Sequence, residues 1–241
     1  MKKNISLIVI LLLTIIYYVS QAQNPNSKQP SSPKLIVGIV VDQMRYDYIS
    51  RFWNKYSEGG FKRLVNDGFL LKNANYNYVP TYTAPGHACI YTGTTPSYNG
   101  IISNEWFDRN LNKTTYCVSD STVKSLGTNA QTGKMSPKNL LTTTVTDELR
   151  LSNNFQSKVI GVSLKDRGAI LPAGHTANAA YWYDPGTNNF ISSTYYMKDL
   201  PQWVKDFNDR HLADALLSKP WTTLLPIESY IESTTDDNAY E

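Results

Sequence analysis

A continuous apolar run near the start of the chain is the feature that most constrains its fold. Residues 34–42 read Lys-Leu-Ile-Val-Gly-Ile-Val-Val-Asp, so only the two ends of the run are charged. Such a run is typical of a strand that is buried on both faces of a parallel sheet, because helices cover both sides of such sheets. We therefore expect an α/β fold with a mostly parallel central sheet and helices on both faces.

The rest of the chain fits this class of fold. Residues 157–164 form a second candidate for a buried strand, and residues 69–76 alternate loosely, as a strand does. The sequence predicts helices at 46–52, 60–66, 136–151, 201–207 and 211–217. It also predicts two inserted β-hairpins, one over residues 100–118 and one around the Asp-Pro-Gly turn at 184–186.

Charged side chains follow both predicted buried strands. Asp42 ends the first, and Lys165 and Arg167 follow the second. Ligands of open α/β sheets bind at the carboxyl ends of the strands, so these residues are candidates for a binding site. Lys165 and Arg167 are two residues apart, and an extended backbone would project them to the same side. The alternatives are that Asp42 caps a helix and that the Lys-Asp-Arg segment is a solvated loop.

The segment at residues 78–87 supplies a candidate nucleophile. It reads Tyr-Val-Pro-Thr-Tyr-Thr-Ala-Pro-Gly-His and places the Thr83 hydroxyl on a turn before a helix, with Pro85 suited to the first helical position. The Thr83 hydroxyl and the Ala84 amide would then lie at a helix N-terminus, where a phosphate is favoured. The alternative is that Thr83 is an ordinary N-cap.

The start of the chain predicts export. Residues 1–22 combine a basic start, an apolar core too short to span a bilayer and a small-x-small cleavage site, as signal peptides do. The alternative is an uncleaved anchor. Cleavage after Ala22 would leave a flexible leader at 23–33 and a periplasmic or secreted protein without a stable membrane anchor. Loss of Lys2 and Lys3 lowers the net charge from +3 to +1, and nothing in this charge indicates a nucleic-acid partner.

The cysteines and histidines give no metal-binding pattern. Cys89 and Cys117 could form one disulfide in an oxidising compartment, and the sequence leaves their pairing open. The three histidines do not have the spacing of metal ligands, and we expect them to pack or cap; they are His87, His175 and His211.

Five segments, taken in order, resemble the phosphate-irrepressible alkaline phosphatases. This family belongs to the alkaline phosphatase superfamily and lies close to the nucleotide pyrophosphatases/phosphodiesterases. The segments are 40–45 (Val-Val-Asp-Gln-Met-Arg), 80–87 (Pro-Thr-Tyr-Thr-Ala-Pro-Gly-His), 91–93 (Tyr-Thr-Gly), 103–108 (Ser-Asn-Glu-Trp-Phe-Asp) and 163–167 (Ser-Leu-Lys-Asp-Arg). The resemblance covers the chain from about residue 34 onward.

The resemblance implies a binuclear zinc enzyme that hydrolyses small phosphate monoesters. Thr83 would attack phosphorus and form a covalent phosphothreonine, with Asp42 binding one zinc ion and Thr83 the other. Asn104 would donate a hydrogen bond to a phosphoryl oxygen, helped by the Ala84 amide. Lys165 and Arg167 would bind the phosphoryl group and stabilise its transition state.

The resemblance also implies that more zinc ligands are needed than the chain offers. In the family these ligands come from the C-terminal half, so we interpret residues 34–241 as the N-terminal part of a catalytic domain and expect this fragment alone to be inactive. Two alternatives stay open. One is a phosphodiesterase or nucleotide pyrophosphatase of the same superfamily, and the other is a secreted non-catalytic binding module that uses the many Tyr and Trp side chains.

Overall fold

The structure is a computed structural model that describes Thr14 and residues 33–232. The chain divides into two compact units, Met1–Val40 and Val41–Glu241. The predicted signal peptide and leader lie outside the described residues, except for Thr14 and Pro33. Within the described residues, no helix combines the length and the apolar character needed to cross a membrane.

The described part of the larger unit alternates short helices with short strands. The helices are α1 (Asp47–Arg51), α2 (Phe61–Asp67), α3 (Thr83–Thr92), α4 (Pro96–Asn99), α5 (Val145–Ser152), α6 (Asp166–Ala173), α7 (Gln202–Asn208) and α8 (Leu212–Leu217), with 3₁₀ turns at Trp53–Lys55, Gln131–Gly133 and Ile227–Ser229. The strands are β1 (Glu105–Asp108), β2 (Lys113–Tyr116), β3 (Ser125–Leu126), β4 (Ile160–Ser163), β5 (Ala179–Asp184) and β6 (Asn189–Ser193).

Two sheets organise these strands. β1 and β2 form an antiparallel hairpin in which Glu105 faces Tyr116. The second sheet has the order β3-β6-β5-β4, with β4 parallel to β5 and the other pairs antiparallel. The connection from β4 to β5 carries α6, as parallel pairing requires a crossover.

The main core lies where α3 packs against α6 and α6 packs against β4 and β5. Its buried side chains include Ala84 and Ala88 of α3, Ala169 of α6 and Trp182 of β5. The approach of α6 to β4 is close, because a side-chain carbon on Gly161 would collide with the carbonyl oxygen of Ala169. This packing holds the start of α3 and the start of α6 in one rigid region.

Most of the predicted elements are present. α1, α2, α7 and α8 lie where the sequence predicts helices, and both hairpins form at the predicted turns. The hairpin of β5 and β6 contains the Asp-Pro-Gly turn, and Asp184 stabilises it by accepting the hydroxyl of Thr187 at 2.9 Å.

Two predicted strands are absent. Residues 34–42 and 69–76 have no strand assignment, and Leu35 and Ile39 are 79% and 77% exposed. A strand needs a neighbour that satisfies its backbone N–H and C=O groups, and neither segment pairs with another strand in the described residues. β4 does form, but as an edge strand whose Val162 is 62% exposed, so it is not buried on both faces as the sequence predicts.

The predicted helix over residues 136–151 was wrong in its first half. α5 begins only at Val145, and Thr144 is its N-cap in a reciprocal capping box with Asp147. The Ser136 hydroxyl instead donates to Asp120 at 2.7 Å. The capping box at Thr144 satisfies two backbone N–H groups, those of Thr144 and Asp147, whereas the Ser136 hydroxyl accepts only that of Lys138 at 3.2 Å.

Candidate active site

Thr83 is the first residue of α3 and presents its hydroxyl toward Asp42. The N-cap of α3 is Tyr82, which makes no side-chain capping bond, so the interpretation of Thr83 as an ordinary N-cap was wrong. The Thr83 Oγ1 donates to Asp42 Oδ2 at 3.3 Å. The structure thus joins the candidate nucleophile to the carboxylate that the sequence singles out, although 41 positions separate them along the chain.

Asp42 also forms an ion pair with Lys165. Lys165 Nζ lies 2.9 Å from the same Asp42 Oδ2 that accepts from Thr83. Burial of the carboxylate opposes its ionisation, but the hydrogen bond and charge of Lys165 outweigh this effect, and the pKa of Asp42 is lowered. Asp42 is therefore an anion at neutral pH and can accept hydrogen bonds or bind a cation.

Asn104 is fixed beside the nucleophile by a backbone bond. The Ala84 N–H donates to Asn104 Oδ1 at 2.9 Å. Because the side-chain oxygen of Asn104 accepts this bond, the side-chain NH₂ group is the part of Asn104 that can donate to a ligand. The direct bond from the Ala84 amide to a phosphate stays a prediction, since in this structure that amide orients Asn104.

Arg167 is held by two residues that sequence reasoning missed, Tyr116 and Asp166. Arg167 Nη1 donates to the Tyr116 hydroxyl at 2.6 Å, and this hydroxyl donates to Asp166 Oδ1 at 2.6 Å. Burial, and then the neighbouring Asp166 carboxylate, raise the pKa of Tyr116, so its hydroxyl stays protonated and can serve as this donor. The chain Arg167–Tyr116–Asp166 fixes the guanidinium in one position.

The local argument for the Lys165 and Arg167 pair needs correction. Lys165 is the N-cap of α6 and Arg167 lies within its first turn, so the backbone between them is not extended. Lys165 turns toward Asp42, whereas Arg167 turns toward Tyr116. The two cations are therefore held by different partners.

The β1–β2 hairpin links the two halves of the site. Asn104 directly precedes β1 and Tyr116 ends β2. The backbone of Cys117 donates to the carbonyl oxygen of Asn104 at 2.9 Å, which closes the base of the hairpin. One small element thus positions both the side chain that meets Ala84 and the hydroxyl that orients Arg167.

The remaining predicted groups lie as follows. Cys89 and Cys117 are both free and buried. His87 contacts the carbonyl oxygen of Thr83, His175 contacts Asp147, and His211 lies 4.0 Å from Asp214. Across the described residues, no three His, Cys, Asp or Glu side chains cluster in a way that could hold a metal ion.

Comparison with known families supplies the context for this arrangement. The family model of type I phosphodiesterase/nucleotide pyrophosphatase matches residues 36–238. The chain belongs to this family. The match covers every residue of the site just described.

Members of the wider phosphodiesterase/pyrophosphatase family that are similar to this chain include named alkaline phosphatases. Alkaline phosphatase PhoV of Synechococcus elongatus is 55% identical over 99% of this chain and 45% of its own length. Alkaline phosphatase PafA of Elizabethkingia meningoseptica is 54% identical over 87% of this chain and 38% of its own length. A Myroides odoratus protein named calcium-transporting ATPase is 54% identical over 89% of this chain and 39% of its own length.

Solved structures confirm the predicted fold class. The crystal structure of wild-type PafA matches with a TM-score of 0.85 and 54% identity, over 87% of this chain and 40% of that one. A PafA variant in which one threonine, one asparagine, one lysine and one arginine are replaced matches with a TM-score of 0.84. The fold is therefore that of the PafA alkaline phosphatase, and the chain spans less than half the length of these relatives.

Proposed function

We propose that the full-length protein is a zinc-dependent phosphate monoester hydrolase that acts through a covalent phosphothreonine on Thr83. The observation that carries this proposal is the placement of the Thr83 hydroxyl at the start of α3, 3.3 Å from Asp42. Asn104 is bonded to Ala84, the residue after Thr83, and Lys165 is bonded to Asp42, while Arg167 is held by Tyr116 at the end of β2. These residues supply an amide donor and two cations, the groups that a phosphoryl group requires.

The PafA variant supports these roles. In that variant a threonine, an asparagine, a lysine and an arginine are replaced, in that order along the chain, and the lysine and arginine are two residues apart. Thr83, Asn104, Lys165 and Arg167 follow the same order, and Lys165 and Arg167 are also two residues apart.

In the proposed reaction Thr83 Oγ1 attacks phosphorus, and the bond from phosphorus to the leaving-group oxygen breaks. Water then attacks the phosphothreonine and releases inorganic phosphate. The NH₂ group of Asn104 would donate to one phosphoryl oxygen, and the fixed guanidinium of Arg167 would bind another. Charge-assisted hydrogen bonds of this kind are stronger than neutral ones, so they can stabilise a transition state in which negative charge spreads over these oxygens.

Asp42 would hold one of the two zinc ions and Thr83 the other. Their oxygens are 3.3 Å apart, and carboxylate oxygens are accepted zinc ligands. They fit as part of a ligand set, and the further ligands must come from outside the described residues. When bound, zinc supplies the positive charge that lowers the pKa of a neighbouring hydroxyl. A threonine hydroxyl is a weak nucleophile without such activation or a base.

The experiment that tests this proposal replaces Thr83 in the full-length enzyme. Thr83→Ala should remove nearly all turnover of phenyl phosphate, because it deletes the nucleophilic oxygen. Thr83→Ser keeps that oxygen and should retain a good part of the activity. Acid quench and mass spectrometry should detect phosphate on residue 83 in the parent and in the serine variant. Near-normal turnover in the alanine variant would mean that water attacks phosphorus directly, and would refute the covalent mechanism.

A second candidate is favoured by the family match itself, whose description is that of a phosphodiesterase/nucleotide pyrophosphatase. Parallel assays with a monoester, a diester and ATP separate the candidates, and ATP also tests the activity that the Myroides odoratus name implies. If the diester has the highest kcat/KM of the three substrates, the protein is a phosphodiesterase and the monoesterase proposal is wrong.

We also propose that the protein is exported to the periplasm or medium. The support is the signal-like sequence of residues 1–22. Mass spectrometry of the mature protein should find an N-terminus at Gln23, and a protein that still begins at Met1 would contradict export with cleavage.

A further inference from the structure

His87 is a polar residue of the nucleophile segment to which the proposed reaction gives no role. It lies one turn after Thr83 in α3 and is 7% exposed. Its Nδ1 is 2.7 Å from the carbonyl oxygen of Thr83. Because a carbonyl oxygen only accepts, Nδ1 carries the proton and donates it there. This bond folds the imidazole back over the first turn of α3.

The other edge of the ring faces the start of α6. A side-chain carbon on Gly168 would lie 3.7 Å from His87 Nε2 and 2.6 Å from Ser163 Oγ. Ser163 ends β4 and Gly168 lies in the first turn of α6, so the segment between them carries Lys165 and Arg167. The imidazole therefore lies between the turn that presents the nucleophile and the turn that presents the cations.

His87 has the largest side chain among the buried residues of α3, which are Ala84, Pro85, His87, Ala88 and Cys89. The core residues of α6 include Ile170 and Leu171 as well as two alanines, whereas those of α3 are only Ala84 and Ala88. A methyl group offers little surface to interdigitate with a neighbouring helix, whereas an imidazole that is bonded on one edge and packed on the other acts as a spacer. Since interiors are close-packed, removal of the ring would let the two turns shift.

We propose that His87 is a positioning residue that sets the separation between the Thr83 hydroxyl and the cationic side chains of Lys165 and Arg167. This inference rests on the proposed function, because it assigns His87 to the geometry of that reaction. A displacement of about 1 Å at a reacting centre can cost on the order of a hundredfold in rate. Loss of His87 should thus lower kcat more than it weakens substrate binding.

The test compares two substitutions in the full-length enzyme. His87→Leu removes the donor and most of the ring, and kcat for phenyl phosphate should fall by about tenfold to a hundredfold, with a much smaller change in KM. His87→Gln keeps an N–H donor at the end of its side chain, and should recover a clear part of the lost kcat. If His87 served only stability, His87→Gln would not restore kcat, and His87→Leu would not lower kcat more than it changes KM.

His175→Gln is the matched control. His175 is another partly buried histidine of the same unit, with its contacts to Asp147 and Leu140 outside the site. This variant should lower the urea midpoint while leaving kcat within about twofold, as expected where no site group is disturbed. If His87→Leu does not fold, Gly168→Ala provides a second test, since its methyl group would lie 2.6 Å from Ser163 Oγ, should displace the start of α6 from the His87 ring and should also lower kcat.

The outcomes separate this inference from the proposed function. If Thr83→Ala is inactive while His87→Leu and Gly168→Ala keep the kcat of the parent, the positioning role of His87 is refuted and the nucleophile stands. If Thr83→Ala is fully active, the proposed function fails first. A loss of kcat in His175→Gln equal to that in His87→Leu would also refute the positioning role.

Discussion

Replacement of Asp147 by asparagine should strongly destabilise the fold around the site. Asp147 is fully buried in the first turn of α5. Its Oδ1 accepts the Thr176 N–H at 2.7 Å, and its Oδ2 accepts the Thr144 N–H at 3.0 Å and lies 3.1 Å from His175 Nδ1. Every partner is a donor, and the site is built around an acceptor with two equivalent oxygens.

The loss of stability that we expect from this substitution follows from these hydrogen bonds. An asparagine side chain has one oxygen and one NH₂ group, so in either orientation an NH₂ faces an N–H donor. A buried hydrogen bond to a charged group contributes about 1.5–3 kcal/mol, and the donor left unsatisfied costs about 1–3 kcal/mol more. Removal of one partner of a buried ion pair costs about 3–5 kcal/mol. Because the His175 side chain is 33% exposed, we expect the low end of this range.

The same contact makes stability depend on pH. His175 Nε2 lies 3.0 Å from the carbonyl oxygen of Leu140, so both ring nitrogens face acceptors and the imidazolium form fits best. The hydrogen bond that His175 donates to Asp147 raises the pKa of His175. A raised folded-state pKa stabilises the fold fully below about 6.5, the unfolded value, and this stability is lost as pH rises through the folded value.

Asp147 behaves in the opposite sense at low pH. Burial opposes its ionisation, but the bonds from His175 and from backbone N–H groups prevail and lower its pKa strongly. Its contribution is therefore present above about 3.9, the unfolded value, and is lost only as pH falls toward the lowered folded value. Between these two limits both groups contribute fully.

Urea unfolding of the full-length protein at several values of pH from 5 to 9 tests this reasoning. The parent should lose stability as pH rises above about 6.5, and Asp147→Asn should be less stable at every pH with a flatter profile over that range. Asp206→Asn, at an exposed position on α7, is the control and should match the parent. A cost below about 1 kcal/mol for Asp147→Asn, or an unchanged slope, would refute the assignment of the imidazolium–carboxylate pair.

Three further predictions concern the site and its surroundings. The double variant Lys165→Ala/Arg167→Ala should reduce monoester kcat/KM by on the order of a hundredfold or more, and diester kcat/KM much less, because in the proposed reaction the cations would bind an oxygen that a diester has esterified; equal losses would assign the pair to the fold or to general electrostatics. Tyr116→Phe removes the hydroxyl between Arg167 and Asp166 and should lower monoester kcat/KM by about tenfold, as for one misaligned charge-assisted contact, whereas Tyr98→Phe, at an exposed tyrosine, should have no effect. Burial raises the pKa of the Cys117 thiol to about 12, so Cys117 should resist iodoacetamide in the folded protein at pH 8, and rapid alkylation there would show that this burial is wrong.

Much of the local structure could be predicted from the sequence because it depends on neighbours in the chain. The β5–β6 hairpin follows from its Asp-Pro-Gly turn, and α2 lies between Gly60 and Gly68 as its sequence predicts. Thr83 lies at the start of a helix, as predicted, but it is the first helical residue itself and Pro85 is the third rather than the first. In each case the residues that decide the structure lie within a few positions of it.

The features that could not be predicted from the sequence are those that depend on residues far away along the chain. A run such as 34–42 has the composition of a buried strand, but burial requires other strands, and none pairs with it in the described residues. Tyr116 lies 51 positions from Arg167 and ends a strand of a surface hairpin, so nothing local distinguishes it from other tyrosines. The available signal was the predicted hairpin, in which Tyr116 pairs with Glu105, the residue after Asn104.

The charges at the site constrain how it can bind a phosphate dianion. Lys165 lies 2.9 Å from Asp42, and Arg167 lies 3.9 Å from Asp166, so each cation is close to one carboxylate. These four side chains carry no net charge, and a monoester dianion would compete with Asp42 for Lys165. A divalent cation that Asp42 helps to bind would neutralise that carboxylate and leave Lys165 free for the phosphoryl group. The selectivity for monoesters that we expect from Lys165 therefore depends on the metal, whereas the contribution of Arg167, held by Tyr116, does not.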